Sequence, residues 1–200
     1  MRRIIDSILI CTCVILLTIV SANSQQTTKT PDNKASKEPG PVIICAEKNG
    51  LTNEEIGRIL FRHNEARAKV NASDLVWDCK LAATAQEWAT RGIAEHRSDN
   101  FLGENISVSS HAKAKATQGV KQWLHEKKRI DPATKKCKPG KMCLHYTQVV
   151  SATSERIGCG INRAATGKWK LLMVCNYDPA GNMGVGTLIE PLKPVLIAAR

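Results

Sequence analysis

Four side chains on four separate segments carry groups suited to acid–base or metal chemistry: His96, Glu104, Glu126 and His145. Two imidazoles, each backed by a carboxylate, can ligate zinc. The carboxylate accepts one ring proton, fixes the tautomer and leaves the other ring nitrogen to the metal. With an open coordination position, such a site activates water for hydrolysis. Glu104 could instead act as a general base without metal. A third outcome is a buried polar network in which every member is hydrogen-bonded and nothing reacts. Spacing chooses none of these, and nothing in it brings the four residues together. Other chemistries are not signalled: the chain holds no Gly-x-Ser-x-Gly, no His-Glu-x-x-His and no Cys-x-x-Cys.

The elements able to position these groups are partly legible. Thr52 and Glu55 form a capping box ahead of a helix with Ile56, Ile59, Leu60, His63, Ala66 and Val70 on one face. His63 on that apolar stripe reads as a hydrogen-bonded packing histidine. Asp78 can cap a second helix over residues 80–91, with Leu81, Ala85, Trp88 and Ala89 inward and Gly92 as its stop. Residues 98–105 read as irregular. A third helix over 112–128 turns Ala116, Val120, Trp123 and Leu124 inward. Residues 156–161 and 169–177 read as paired strands joined by a loop containing Gly167, and the second ends in the turn sequence Asp178-Pro179-Ala180-Gly181-Asn182. Cys159 and Cys175 lie on this pair, where a disulfide would staple it.

Two hundred residues suffice for one domain with a single core plus ends. Residues 1–24 read as a secretory signal: Arg2 and Arg3 are the charged region, 8–20 the apolar one, and Ala22-Asn23-Ser24 offers small residues for cleavage. The apolar run is thirteen residues, short of the roughly twenty that a membrane span needs. A secreted, extracellular chain follows. Its mature form keeps a net charge of +10 and six cysteines: Cys45, Cys79, Cys137, Cys143, Cys159 and Cys175. An even count in that compartment implies disulfides, with fifteen connectivities open. Residues 25–44 form a polar leader without apolar periodicity, expected to be disordered. Residues 188–200 read as a docked or frayed apolar tail.

Asn71-Ala72-Ser73 is a glycosylation sequon on a loop, expected to be occupied; Asn105-Ile106-Ser107 is a second, expected to be empty. Residues 127–141 hold Lys127, Lys128, Arg129, Lys135, Lys136, Lys138 and Lys141 against one acid, Asp131. That block is either solvated surface or a patch drawn to anionic glycans or lipid headgroups. Nucleic acid is excluded as a partner by secretion and by an aromatic content of 4%, which leaves no stacking platform among the charges.

Four stretches together carry a resemblance: His63-Asn64-Glu65-Ala66-Arg67, Gly103-Glu104-Asn105-Ile106, the run HYTQVV from His145 followed by Gly158-Cys159-Gly160, and CNYDPAGN ending at Asn182. In this order, over about residues 52–182, they resemble the CAP superfamily of cysteine-rich secretory, antigen 5 and pathogenesis-related 1 proteins. The resemblance implies a three-layer α-β-α sandwich with a mainly antiparallel central sheet, here over residues 45–187. It also implies a central cleft carrying two His and two Glu, which map to His96, Glu104, Glu126 and His145, with Zn as a possible ligand. Arg97 stands where the family's first histidine is usually followed by Ser. His63 and Asn64 take a structural role in the family, and Asn105 is expected to support the site. Cys137–Cys143 and Cys159–Cys175 match family pairs, which leaves Cys45 with Cys79. The plant pair is missing at both ends, where Gly92 and Ala164 stand. A Cys before the first helix and another in Trp77-Asp78-Cys79 resemble parasitic-worm members, the venom allergen-like or activation-associated secreted proteins.

As function, the resemblance implies a secreted binding module for small lipids, either sterols or fatty acids, and in worm-like members modulation of a host's defences through a host receptor. Sterol-binding relatives have an aromatic-rich loop; residues 127–145 contain no aromatic. The rivals are a metal-assisted hydrolase using the four His and Glu residues, and a protein-recognition scaffold without lipid or catalysis. No residue is assigned a catalytic role. The family's HYTQVV run usually ends in Trp; Ser151 stands there, which is expected to loosen the packing beside the site.

Overall fold

The computed structural model describes residues 43–99 and 101–183. The expected signal peptide (1–24), nearly all of the leader (25–44) and the tail (188–200) lie outside the described residues. Helix α1 (Asn53–Ala68) starts where the sequence demands: Thr52 Oγ1 accepts the Glu55 amide, and Glu55 answers with a bond from the Thr52 amide. Helix α2 (Cys79–Arg91) is capped by Asp78, whose carboxylate accepts from the Lys80 and Leu81 amides. It ends at Gly92 with φ 73°, a left-handed position that suits glycine. Helix α3 (Ala116–His125) begins four residues later than expected. Lys115 offers no side-chain cap, and the expected last residues form a tighter 3-10 turn, Glu126–Arg129. Helix α4 (Leu144–Val149) occupies what the sequence shows only as an apolar turn.

The sheet runs β1-β3-β4-β2. Strands β3 (Arg156–Asn162) and β4 (Leu171–Asp178) pair antiparallel, with Cys159 directly opposite Cys175. Strand β2 (Gly103–Ser109) pairs antiparallel with β4 and falls partly within the segment expected to be irregular. Strand β1 (Val76–Trp77) is short and parallel to β3, so the sheet is mixed although mainly antiparallel.

Alternation along β4 decides the layers. Leu171, Met173, Cys175 and Tyr177 face a core shared with Ile56 and Ile59 of α1, Val120 and Trp123 of α3, and Tyr146 and Val149 of α4. Leu172 and Val174 face Ala85 and Ala89 of α2 on the other side. Helices therefore cover both faces, giving the α-β-α sandwich. The Gly158-Cys159-Gly160 run makes close approach possible. A Cβ on Gly158 would lie 2.1 Å from the Ala82 backbone nitrogen, and one on Gly160 2.3 Å from the Gln86 Cα. Only glycine lets α2 press its backbone against β3 there, while Cys159 between them points into the main core. The disulfides are Cys45–Cys79, Cys137–Cys143 and Cys159–Cys175. Among the described residues no helix is long and apolar enough to cross a membrane.

Arg67, at the end of α1, is fully buried. Its Nε donates to the Ser73 carbonyl (2.6 Å), Nη1 to those of Val149 (3.1 Å) and Ser151 (2.8 Å), and Nη2 to that of Ser154 (2.8 Å). Arg67→Met should cost about 3–5 kcal/mol by urea unfolding with disulfides intact, because four buried or part-buried carbonyls lose their donor. An unchanged midpoint would show that water replaces the guanidinium there.

Candidate functional site

Glu126 opens the 3-10 turn after α3 and is buried. Its Oε1 accepts from His145 Nδ1 at 2.9 Å, and its Oε2 from the backbone amides of His145 (3.1 Å) and Tyr146 (3.3 Å). One carboxylate thus orients the imidazole and satisfies the first amides of α4, which lack partners inside their own helix. Trp123 stacks on the same imidazole, ring centroids 6.2 Å apart at 18°. The second pair is His96 with Glu104: His96 Nδ1 lies 2.8 Å from Glu104 Oε1, which also accepts the Arg97 amide. The Glu104 side chain is 5% exposed and that of His96 62%. The Glu104 hydrogen bond, with help from its charge and against partial desolvation, raises the His96 pKa above the usual 6.5.

The four residues therefore form two carboxylate–imidazole pairs. Glu104 and Asn105 are consecutive on β2 and project to opposite faces of the strand. Glu104 takes His96, while Asn105 Nδ2 donates to the His145 carbonyl at 3.0 Å. Among the described residues no three His, Cys, Asp or Glu side chains come together to hold a metal ion. Both imidazoles nonetheless use Nδ1 for their carboxylate and keep Nε2 for another partner.

Behind the pairs lies a hydrogen-bonded chain through the core. His63 is fully buried, with Nδ1 2.8 Å from the Ile59 carbonyl and Nε2 2.9 Å from the Tyr177 hydroxyl. Its ring donates to the carbonyl and accepts from Tyr177. The Tyr177 oxygen in turn accepts from Asn105 Nδ2 at 3.2 Å. Asn64 bridges the Leu75 amide and carbonyl, at 2.8 and 3.1 Å. The expected motif residues His63, Asn64, Arg67 and Asn105 thus each hydrogen-bond a segment distant from their own.

Sequence reasoning misses Tyr177 and Asn182, although both lie in the CNYDPAGN run, which reads only as strand and turn. Asn182 Nδ2 donates to the Leu144 carbonyl and its Oδ1 accepts from Thr147, which fixes α4. Asn176, two positions beyond the buried Val174, gives no signal of its own either; its Nδ2 reaches Glu104 Oε2 at 3.4 Å. Ser151 does not sit in loosened packing: its Oγ pairs with Thr153, and a Cβ on Gly181 would lie 2.7 Å from the Ser151 Cβ. Asn71 is exposed at φ 57°, whereas Asn105 is 1% exposed and bonded on its amide.

The model of the CAP family, described as the cysteine-rich secretory protein family, matches residues 60–177. This chain belongs to that family. Among curated relatives it is 39% identical over 158 residues to Peptidase inhibitor 15-A of Danio rerio, covering 68% of this chain and 61% of that protein. The chain thus spans about three fifths of that relative's length. Its fold is similar to the crystal structure of NaASP2 with Zn2+ (27% identity, TM-score 0.60, 72% of this chain and 89% of that one). It is also similar to Schistosoma mansoni venom allergen-like protein 4 (26% identity, TM-score 0.51, 60% and 85%). The relation to worm venom allergen-like proteins and the α-β-α architecture both follow.

Two titrations test this site. Burial, reinforced by the Arg67 charge and opposed by the Ile59 bond, lowers the His63 pKa to about 4. The unfolded chain takes that proton near pH 6.5, so the folded state binds fewer protons between about pH 6.5 and 4. Stability is full above this window and falls through it as pH drops, by about 3 kcal/mol in total. In urea unfolding from neutral to acid pH, His63→Gln should flatten that fall; an unchanged slope would assign it to other groups. For the second pair, NMR should find His96 titrating above the usual histidine range and Glu104→Gln bringing it back down.

Proposed function

We propose that this CAP protein is a secreted binding module that carries a small amphipathic lipid, a sterol or fatty acid, with its polar end at the imidazoles. The supporting observation is exposed apolar surface beside the pairs. Met142 and Leu144 lead into His145 and are 53% and 42% exposed. Met183, 80% exposed, follows Asn182, which is bonded to Leu144. Phe101, 95% exposed, lies between His96 and Glu104 in sequence. Large apolar side chains left to water around a few fixed polar groups suit a ligand with both characters. The host-facing role implied by the worm resemblance, with a protein receptor as partner, belongs to the same proposal.

A second reading rests on the orientation of the imidazoles. His96 Nε2 and His145 Nε2 would hold a zinc ion, each backed by a carboxylate, which fits zinc's donor preference. Among the similar folds, the NaASP2 crystal structure is one with Zn2+. Two protein ligands fall short of the three usual in catalytic zinc sites, so ion binding is favoured over hydrolysis. When bound, zinc would supply Lewis acidity. Glu104 and Glu126 would fix the ring tautomers.

Native mass spectrometry of the protein secreted from eukaryotic cells, run beside a denatured reference, tests the carrier reading. A bound mass in the lipid range, lost on denaturation and depleted by Leu144→Glu, is expected. Lipid-free protein would overturn tight lipid carriage. In the rival case, Glu104→Gln and His145→Ala would abolish a hydrolytic activity while leaving any lipid mass in place.

A further inference from the structure

The cations of residues 127–141 are not a loose run. An antiparallel bridge joins Ile130 to Cys137, and Asp131 closes the turn between them. The Asp131 amide donates to the Lys136 carbonyl at 2.8 Å, the Lys135 amide to the Asp131 carbonyl at 2.9 Å, and the Lys138 amide to the Arg129 carbonyl at 2.8 Å. Asp131 Oδ1 accepts the Ala133 and Thr134 amides, so the block's one acid is engaged in the turn. At the base, Cys137 is bonded to Cys143, and Arg129 Nη1 donates to the Met142 carbonyl. Ile130 packs against the main core. The result is a rigid basic hairpin.

All seven cationic side chains are exposed. Among the described residues, only Arg129 of the seven is in an ion pair, with Glu126 at 3.7 Å. Lys135 holds φ 59°, a conformation easier for glycine or asparagine, and so keeps a lysine at the hairpin's turn. Seven like charges on a fixed loop repel one another, and among the described residues little offsets them. An external polyanion would, with little ordering cost because the hairpin is already braced.

We infer that this hairpin is a docking surface for a linear sulfated polysaccharide. Three features select that class. The sole large apolar side chain between 127 and 141 is Ile130, which is turned to the core, so the cationic stretch itself offers nothing to insert into a bilayer; the exposed Met142 and Leu144 lie beyond it, at the hairpin's base. No aromatic is present to stack on bases. Six of the seven cations are lysines, point charges on flexible stems that follow a charged polymer without demanding one bidentate geometry.

The test uses the full chain secreted from eukaryotic cells, immobilised heparin as probe, and vesicles of phosphatidylserine in phosphatidylcholine alongside. The variant Lys127→Ser/Lys136→Ser/Lys141→Ser removes three cations from the hairpin without touching its bracing bonds. Lys48→Ser/Lys80→Ser/Lys170→Ser removes the same charge from exposed positions elsewhere. Both should melt like the parent. The parent should bind heparin near physiological salt, and the hairpin variant should lose about tenfold in affinity and elute at lower salt. The control should stay within about twofold, a few tenths of a kcal/mol. Absence of heparin binding, or equal loss in both variants, overturns the proposal. Binding to vesicles without binding to heparin overturns it too and assigns the hairpin to a membrane surface.

Discussion

A buried guanidinium held by carbonyls rather than by a direct ion pair is an expensive thing to fold around, and Arg67, with Asp74 acting on it only at longer range, sets the terms for much of this molecule. Its charge leaves water, which burial alone would oppose strongly; burial lowers even its pKa. Four backbone carbonyls offset that cost, and they belong to the loop after α1, the end of α4 and the turn leading into β3. Arg67 also returns its own carbonyl to the Val70 and Ala72 amides. Lysine could not do this, since one ammonium cannot fan out to four acceptors in a plane. The position of α4 relative to α1, and so of His145, depends on it.

The second constraint is directional. From His63 to His145 each polar atom has one compatible role: the imidazole donates a hydrogen bond to the Ile59 carbonyl and accepts one from the Tyr177 hydroxyl, whose oxygen accepts from Asn105, whose amide also donates to the His145 carbonyl. The chain closes only with a neutral His63, and full burial enforces neutrality by lowering its pKa. Burial likewise raises the Tyr177 pKa and keeps the hydroxyl a donor. Motifs far apart in sequence meet in this chain, with Tyr177 from β4 at its centre.

Local signals are legible in the sequence because they involve few residues. The Thr52–Glu55 box, the Asp78 cap and the Gly92 stop each act within one turn of helix, and the helix ends fall where they point. Cys159–Cys175 is signalled by its strand pair, whereas the full set of three disulfides requires family resemblance, because the pairing of distant cysteines is a property of the fold. Strand β2 is hidden for a physical reason. Its Asn105 and Ser107 face the polar chain and α3, while Ile106 and Val108 face α2, so both sides are covered and no polar-out alternation appears. The start of α3 has no cap to announce it. The four His and Glu residues can be named from sequence, but which carboxylate takes which imidazole is a product of the fold, which spacing does not display.

The two pairs are unequally supported. Glu126 and His145 are held by Trp123, by the amides of α4 and, through the His145 carbonyl, by the buried chain back to α1. The His96 ring is held by Glu104 and sits in a segment pinned mainly by Trp88, which donates to the Glu95 carbonyl and lies under Arg91 and Arg97. Removing Glu104 frees a largely exposed ring and takes an acceptor from the Arg97 amide and Asn176, whereas removing Glu126 leaves two helix amides and a mostly covered imidazole without an acceptor. Any ligand that touches both imidazoles meets one fixed contact and one that can adjust, and adjustment falls to the His96 side.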